Sequence, residues 1–180
     1  EKILKKFIII LIIIIAIFVL LRVQVLQIIY PQKYSEYVEK YAMEYELDPL
    51  LVYSIIKAES NFKSTAKSNS GAIGLMQVML STAQEIGTKL EIEDITEEKL
   101  YEPEINIRIG ICYFKNLLEK YNNYNLAIIA YNAGMGNLDN WLDQGIIDDQ
   151  GENIDNIPFS ETKNYVKKIL QNYQIYQEIY

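Results

Sequence analysis

The chain has 180 residues, with 17 basic and 24 acidic side chains, no histidine and a formal net charge of −7 at pH 7. This length allows one domain with a sizeable core, and the acidic balance argues against a nucleic-acid partner because phosphate contacts require positive charge. Without histidine, imidazole-activated nucleophiles and most zinc or iron sites are excluded, so acid-base chemistry falls to carboxylates, tyrosines or lysines. We expect neither a metal nor a cofactor.

The N-terminal residues form a long apolar segment, EKILKKFIIILIIIIAIFVLLR. Lys2, Lys5 and Lys6 precede fifteen uninterrupted apolar residues, 7–21. As a helix these span about 22 Å against roughly 30 Å of hydrocarbon, and further apolar residues extend the stretch as far as Ile29. The residues that follow contain no small-x-small cleavage pattern, which favours an uncleaved anchor over a cleaved signal peptide.

The same segment predicts the topology. Its lysines place the N-terminal end in the cytoplasm by the positive-inside rule, so the rest of the chain is expected on the extracytoplasmic side. We therefore predict a single-pass membrane anchor at residues 1–30 and one domain at residues 31–180.

Helical signals dominate the predicted domain. After a break at Pro31, aromatic and aliphatic residues at helical spacing predict a first helix in YSEYVEKYAMEYEL. Asp48 as the N-cap and Pro49 at the first helical position predict a second helix that runs to about Ser60. The glycines in SGAIG, at 71 and 74, mark a constrained turn in which short β structure is possible.

Further helices are predicted at residues 81–86, 105–121, 125–133 and 161–177. The tract NAGMGNLDNWLDQGIIDDQGENIDNIP, between the last two, is polar and long for a connection. Loops of this kind are more often functional rims than filler. The single cysteine, Cys112, lies in an apolar run and is expected to be a buried hydrophobe.

Glu59 is the candidate acid. It follows Val52, Ile55 and Ile56 by seven, four and three residues, so it shares the inward face of the second helix. It also lies in the last turn, where the helix dipole is negative. Burial and the dipole both disfavour the ionised form, so the pKa of Glu59 should lie above about 4.3, as a general acid requires.

Four ordered motifs surround this glutamate: ES at 59–60, GLMQVM at 74–79, AYNAG at 130–134 and ETKNYV at 161–166. Together they resemble the soluble lytic transglycosylase catalytic domain of glycoside hydrolase family 23, over roughly residues 35–177. The resemblance implies a predominantly α, lysozyme-like α+β fold with a glycan-binding groove. It also implies cleavage of the β-1,4 bond between N-acetylmuramic acid and N-acetylglucosamine in peptidoglycan.

The resemblance also implies roles for individual residues. Glu59 matches the catalytic acid-base, and Tyr131 matches a tyrosine whose hydroxyl lies close to that carboxylate and could hydrogen-bond it. The other matched positions are expected to line the groove or contact the glycan: Ser68, Gln77, Met79, Asn132 and Glu161.

A single carboxylate suits substrate-assisted cleavage. The resemblance suggests that Glu59 protonates the leaving oxygen and then, as a carboxylate, takes a proton from the muramyl C6 hydroxyl, which closes onto C1 as a 1,6-anhydro sugar. Two alternatives stay open: a goose-type lysozyme that adds water, and a non-catalytic wall-binding domain of an envelope assembly. The expected partners are peptidoglycan strands and the bacterial membrane, and protein partners are not predicted.

Overall fold

A computed structural model describes residues 2–180 of the chain. Within this range the chain forms eight α-helices and a two-stranded sheet. Their bounds are α1 Lys2–Ile29, α2 Ser35–Glu44, α3 Pro49–Glu59, β1 Ala72–Ile73, β2 Val78–Met79, α4 Leu80–Lys89, α5 Pro103–Tyr121, α6 Tyr124–Ala133, α7 Met135–Asp143 and α8 Ser160–Ile179. Short 3-10 turns lie at 99–101 and 154–156.

Local sequence signals explain where the central helices begin. The Asp48 side chain accepts a hydrogen bond from the Leu50 amide at 2.8 Å, and Pro49 is suited to the first position of α3 because an N–H there would have no acceptor within the helix. The Asn123 side chain caps α6 by accepting from the Leu126 amide at 3.1 Å. The start of the second helix, predicted from Asp48 and Pro49, is confirmed, and the helix predicted at residues 125–133 begins one residue earlier, at Tyr124.

The core is built around α3, which carries Glu59 at its end. Leu51 to Ile56 are buried without interruption, because α3 is covered by α2 on one side and α8 on the other. Asn172 of α8 donates to the Ser54 carbonyl oxygen at 3.3 Å and ties the two helices together. Cys112 is buried in α5, as predicted.

The sheet is small and lies beside the site. Ala72 pairs with Met79 and Ile73 with Val78 in antiparallel register, so the short β structure predicted around the glycines is confirmed. The turn between the strands contains Gly74, whose φ of +79° suits glycine.

One prediction about the polar tract is wrong in part. Its first residues form α7, in which Leu138 and Trp141 are buried. The apolar stripe of α7 has only these two deeply buried residues, and two glycines near the start and several acidic residues surround it. The helical period is therefore weak in the sequence. From residue 144 to 159 the tract is irregular apart from one 3-10 turn.

The apolar helix α1 packs only at its C-terminal end. Among the described residues, Ile3–Ile29 is the helix that is long and apolar enough to cross a membrane, and its most apolar part is not buried by the rest of the chain. The Tyr176 hydroxyl donates to the Pro31 carbonyl oxygen at 2.9 Å and the Tyr180 hydroxyl to that of Tyr30 at 3.0 Å. The residues just after α1 are thus held by α8, which also contacts the helix itself.

Candidate active site

Glu59 is the last residue of α3 and is only partly exposed. The preceding turns place Val52, Ile55 and Ile56 in the core. The carboxylate therefore lies at the rim of an apolar interior, as the spacing predicts.

A tyrosine that the sequence analysis did not single out holds this carboxylate. The Tyr165 hydroxyl, on α8, donates to Glu59 Oε1 at 2.6 Å, and the Tyr165 side chain is itself buried. Lys168, one turn further along α8, donates to the Ala58 carbonyl oxygen at 2.7 Å. The packing of α8 on α3 thus orients Glu59.

The electrostatic environment favours a protonated Glu59. Burial raises the pKa of its carboxyl from an ordinary 4.5 to about 7, although the hydrogen bond from Tyr165 and the charge of Lys168 both act in the opposite direction. Burial and the Glu59 charge hold the pKa of Tyr165 well above its usual range, so this phenol stays a neutral donor. A carboxyl of this kind can give a proton and take one back near neutral pH.

Tyr131 does not make the contact proposed for it. Its hydroxyl donates to the Met76 carbonyl oxygen at 2.8 Å, while Tyr165 occupies the hydrogen-bonding position on Glu59. Tyr131 is nevertheless close enough for the Glu59 charge to contribute, after burial, to raising the pKa of its phenol. The Tyr131 hydroxyl thus fixes the turn after Gly74, within electrostatic reach of the carboxylate.

A cavity of about 260 Å³ brings together four of the predicted site residues. Gln77, Met79, Tyr131 and Asn132 all line it. Met79 is 41% exposed, and Gln77 sits at a φ of +49° with its side-chain amide donating to the Gly74 carbonyl oxygen at 2.8 Å. These side chains form the wall of a groove between the sheet and α6.

Three predicted residues do not line that cavity: Glu59, which is described above, Ser68 and Glu161. Ser68 accepts a hydrogen bond from the Ala72 amide at 2.9 Å, so its oxygen supports the turn and its proton stays free to be donated. Glu161 is exposed in the first turn of α8, one turn before Tyr165. The structure places Glu161 on the helix that holds Glu59, without a direct contact to it.

Asn106 is a second residue that the sequence analysis missed. It is fully buried in α5, its oxygen accepts from the Met76 amide at 2.8 Å, and its amide donates to the carbonyl oxygens of Ile73 and Leu100 at 2.9 and 2.8 Å. The signal in the sequence was one amide within an otherwise apolar stripe. Asn106 holds the turn from inside while Tyr131 holds it from the groove.

Comparisons with known proteins agree with this geometry. The profile of the Transglycosylase SLT domain matches residues 36–152. The soluble lytic murein transglycosylase of Salmonella typhimurium is 36% identical over 145 residues, 78% of this chain and 22% of the relative. A membrane-bound lytic murein transglycosylase C of Edwardsiella ictaluri is 33% identical over 116 residues, 59% of this chain and 32% of the relative.

Solved structures of lytic transglycosylases have the same fold as this chain. The 70 kDa soluble lytic transglycosylase of Escherichia coli superposes with a TM-score of 0.76 at 30% identity, over 85% of this chain and 25% of that one. A complex of the 70 kDa soluble lytic transglycosylase with bulgecin A gives a TM-score of 0.77 at 33% identity over the same shares of the two chains. The fold is the predominantly helical, lysozyme-like one expected from the motifs.

The chain therefore belongs to the Transglycosylase SLT domain family. It spans only 22% of the length of the curated relative from Salmonella typhimurium. Tyr165 lies beyond the residues that the family profile matches, on the helix that closes the site.

Proposed function

We propose that this chain is a peptidoglycan lytic transglycosylase. It cleaves the β-1,4 bond between N-acetylmuramic acid and N-acetylglucosamine and leaves 1,6-anhydro-muramyl ends. Family membership supports the reaction class, and several relatives carry the name lytic murein transglycosylase. The observation that carries the proposal is Glu59, a partly buried carboxyl whose pKa is raised to about 7 and whose orientation Tyr165 fixes.

In the first step Glu59 acts as the acid. Its proton passes to the glycosidic oxygen as the bond from that oxygen to muramyl C1 breaks, and the electron pair leaves with the N-acetylglucosamine product. The muramyl 2-acetamido group supports the positive charge that develops at C1. Glu59 is left as a carboxylate, which the Tyr165 hydroxyl stabilises by a charge-assisted hydrogen bond.

In the second step the same carboxylate acts as the base. It takes the proton of the muramyl C6 hydroxyl while that oxygen bonds to C1, so the anhydro ring closes and Glu59 regains its proton. The nucleophile belongs to the bound sugar, and its proximity replaces an enzyme nucleophile. Among the described residues, the groups that shift the pKa of Glu59 are Tyr165 and Lys168, and neither is a carboxylate.

The remaining predicted residues are assigned to substrate binding. Gln77, Met79, Tyr131 and Asn132 share one cavity wall, which suits contact with a sugar ring. Ser68 keeps a hydroxyl proton that can reach an N-acetyl oxygen. Glu161 is assigned to the outer part of the groove because it is exposed at the start of α8.

Replacement of Glu59 by glutamine tests this proposal. Purified sacculi are incubated with the wild-type chain and with Glu59→Gln in detergent, and soluble muropeptides and sacculus binding are measured. Loss of release with retained binding is expected, since the amide keeps the shape but cannot give up a proton. Binding without release by the wild type would instead favour the non-catalytic alternative, and substantial release by the variant would remove Glu59 from the mechanism.

We further propose that residues 1–30 anchor the chain as a single-pass segment and that residues 31–180 form the catalytic domain on the extracytoplasmic side. The exposed apolar length of α1 supports insertion, and membrane-bound members of the family exist. The substrate itself lies outside the cytoplasm, which agrees with the orientation predicted from the N-terminal lysines.

A further inference from the structure

A pocket lies where α1 meets the domain. It has a volume of about 300 Å³ and is lined by the last apolar residues of the helix, Ile28 and Ile29, and by Lys33, Lys57 and Asn61 of the domain. Ile28 is 79% exposed. The pocket therefore combines an apolar edge with two cationic side chains.

The end of α1 is held against the domain, so this pocket cannot move freely away from the anchor. Lys57 Nζ donates to the Ile29 carbonyl oxygen at 2.7 Å, Gln27 donates to that of Ile179 at 3.2 Å, and Arg22 pairs with Glu178 at 3.3 Å. The Tyr30 and Tyr176 rings pack edge to face with their centroids 5.6 Å apart. The pocket keeps its position relative to the helix axis.

Helix length places the pocket at the level of lipid headgroups. From Lys6, about 20 residues cross roughly 30 Å of hydrocarbon, so the apolar span ends near Leu26. Ile28 and Ile29 then lie at the boundary of acyl chains and headgroups, and tyrosines gather at the same end of α1, as they do at membrane interfaces.

This corner of the domain is cationic in an otherwise acidic chain. Within residues 2–180, Lys33, Lys57 and Lys168 take part in none of the ion pairs. Burial, then the charges of Lys168 and Lys33, lower the pKa of Lys57. Lys57 Nζ donates to the Ile29 carbonyl oxygen and, at 2.6 Å, to Asn61 Oδ1, and it lies over the Tyr30 ring, 5.1 Å from the centroid. One of its three protons has no hydrogen-bond acceptor among the described residues.

We propose that this pocket binds the phosphate of an anionic phospholipid headgroup, with Lys33 and Lys57 on the phosphate and Ile28 and Ile29 beside its glycerol and acyl chains. The inference rests on the membrane anchoring proposed above. Because the pocket joins α1 to α3, a bound lipid orients the domain, and with it Glu59, relative to the membrane surface.

Lys33→Gln tests the pocket without disturbing the fold, because no hydrogen bond or ion pair of Lys33 is present among the described residues. The full chain in a non-ionic detergent is incubated with equal amounts of phosphatidylglycerol and phosphatidylcholine, and retained lipid is counted by native mass spectrometry. The wild type should retain one phosphatidylglycerol preferentially. Lys33→Gln should lower that preference about fivefold, and Lys33→Glu further.

Lys89→Gln is the matched control, since it removes the same charge at the end of α4 and Lys89 does not line the pocket. Its lipid preference should equal that of the wild type. Equal retention of both lipids, or an equal loss in the control, overturns the proposal. Inorganic phosphate alone should displace no lipid, and displacement would identify a free-anion site instead.

Flotation with vesicles of phosphatidylcholine separates this inference from the anchoring on which it rests. A chain that floats but shows no preference for phosphatidylglycerol contradicts the pocket and leaves the anchor intact. A chain that does not float contradicts both.

Discussion

At the scale of single residues, the Glu59 carboxyl is subject to opposing influences. Burial at the end of α3 disfavours its charge, while Tyr165 and Lys168 favour it, and burial dominates. If the polar contacts were stronger, the carboxyl would already be ionised at neutral pH and would have no proton to give. If burial were complete, the carboxylate could not stay ionised between the two steps. The partial exposure of Glu59 and its one short hydrogen bond fit both roles.

Tyr165→Phe should raise the pKa of Glu59. The hydroxyl stabilises the carboxylate, so its loss favours the protonated form, by about one pKa unit for a hydrogen bond to a charged group. Activity that requires protonated Glu59 falls as pH rises through about 7 in the wild type, and in the variant this fall should move to higher pH. We expect the maximum rate to drop about tenfold as orientation is lost.

Tyr131→Phe is the control, because its hydroxyl bonds the Met76 carbonyl oxygen and not the carboxylate. Tyr131→Phe should weaken glycan binding, seen as a higher KM, and the pH at which activity falls should stay as in the wild type. A pH–rate profile of sacculus solubilisation distinguishes the two variants. A fall in activity at the wild-type pH in Tyr165→Phe, or at a lower pH, would contradict the role given to Tyr165.

Glu59 should also reduce the stability of the fold as pH rises. Its pKa is higher in the folded state than in the unfolded chain, so the folded state binds more protons between about pH 4.5 and 7, and the free energy of unfolding falls across that window. The full shift corresponds to about 3 kcal/mol. Glu59→Gln should therefore be more stable than the wild type at pH 8 by up to that amount, and no more stable at pH 4.

Denaturant unfolding in detergent at the two pH values measures this difference. Glu161→Gln is the control, because Glu161 is exposed. The free energy of unfolding of this variant should differ little from that of the wild type at pH 4 and at pH 8. Equal stability of the wild type and Glu59→Gln at pH 8 would mean that Glu59 is ionised in the fold at little cost.

Residue-scale prediction from the sequence succeeded where the signal was local. The position of Glu59 followed from Ile55 and Ile56 within its own helix. Its contact with Tyr165 joins residues 106 positions apart, and no periodicity reports such a pair. Tyr131 and Tyr165 both stand in quoted motifs, and only the packing of α8 on α3 decides which of them reaches the carboxylate.

At the scale of elements, the turn before β2 shows how the fold shapes the groove. Asn106 in α5 satisfies three backbone groups of the turn and its surroundings, and Tyr131 in α6 satisfies a fourth. Caps and prolines made α3 and α5 predictable because they act within one turn. The α7 helix was missed because its burial depends on neighbours that its own residues do not reveal.

Gly74→Ala should disrupt this turn. A Cβ at this position would clash with Asn106 Nδ2 and with the Leu100 carbonyl oxygen, and the φ is +79°. We expect a loss of at least about 3 kcal/mol in the free energy of unfolding, because a buried backbone atom cannot move aside cheaply.

Gly136→Ala is the matched control, since nothing lies within 4 Å of its Cβ position and it is helical in α7. It should stabilise the chain by roughly 0.5 kcal/mol. Chemical denaturation of both variants provides the comparison. Similar stabilities for the two would contradict the close packing assigned to the turn.

At the scale of the whole molecule, an exposed apolar helix is joined to a helical domain. Hydrogen bonds from Tyr176 and Tyr180 hold the residues that follow this helix. The sequence predicted this helix because residues 7–21 are apolar without interruption and further apolar residues extend the stretch as far as Ile29. It could not predict the junction, since the tyrosines of α8 lie about 145 residues from the segment they hold.

Protease protection tests the proposed orientation. In intact spheroplasts, added proteinase should digest the domain, because it lies outside the cytoplasm, and the same digestion after lysis should add nothing. A cytoplasmic protein serves as the protected control. A domain that is cut only after lysis would lie in the cytoplasm and would contradict the proposed orientation.

The central claim is that Glu59 acts twice and the sugar supplies the nucleophile. Digestion of sacculi by the wild-type chain in water enriched in heavy oxygen, followed by mass spectrometry of the new muramyl ends, tests it most directly. The account predicts 1,6-anhydro ends that contain no solvent oxygen, because O6 of the same residue closes onto C1. New reducing ends that carry heavy oxygen would show that water is the nucleophile and would contradict it.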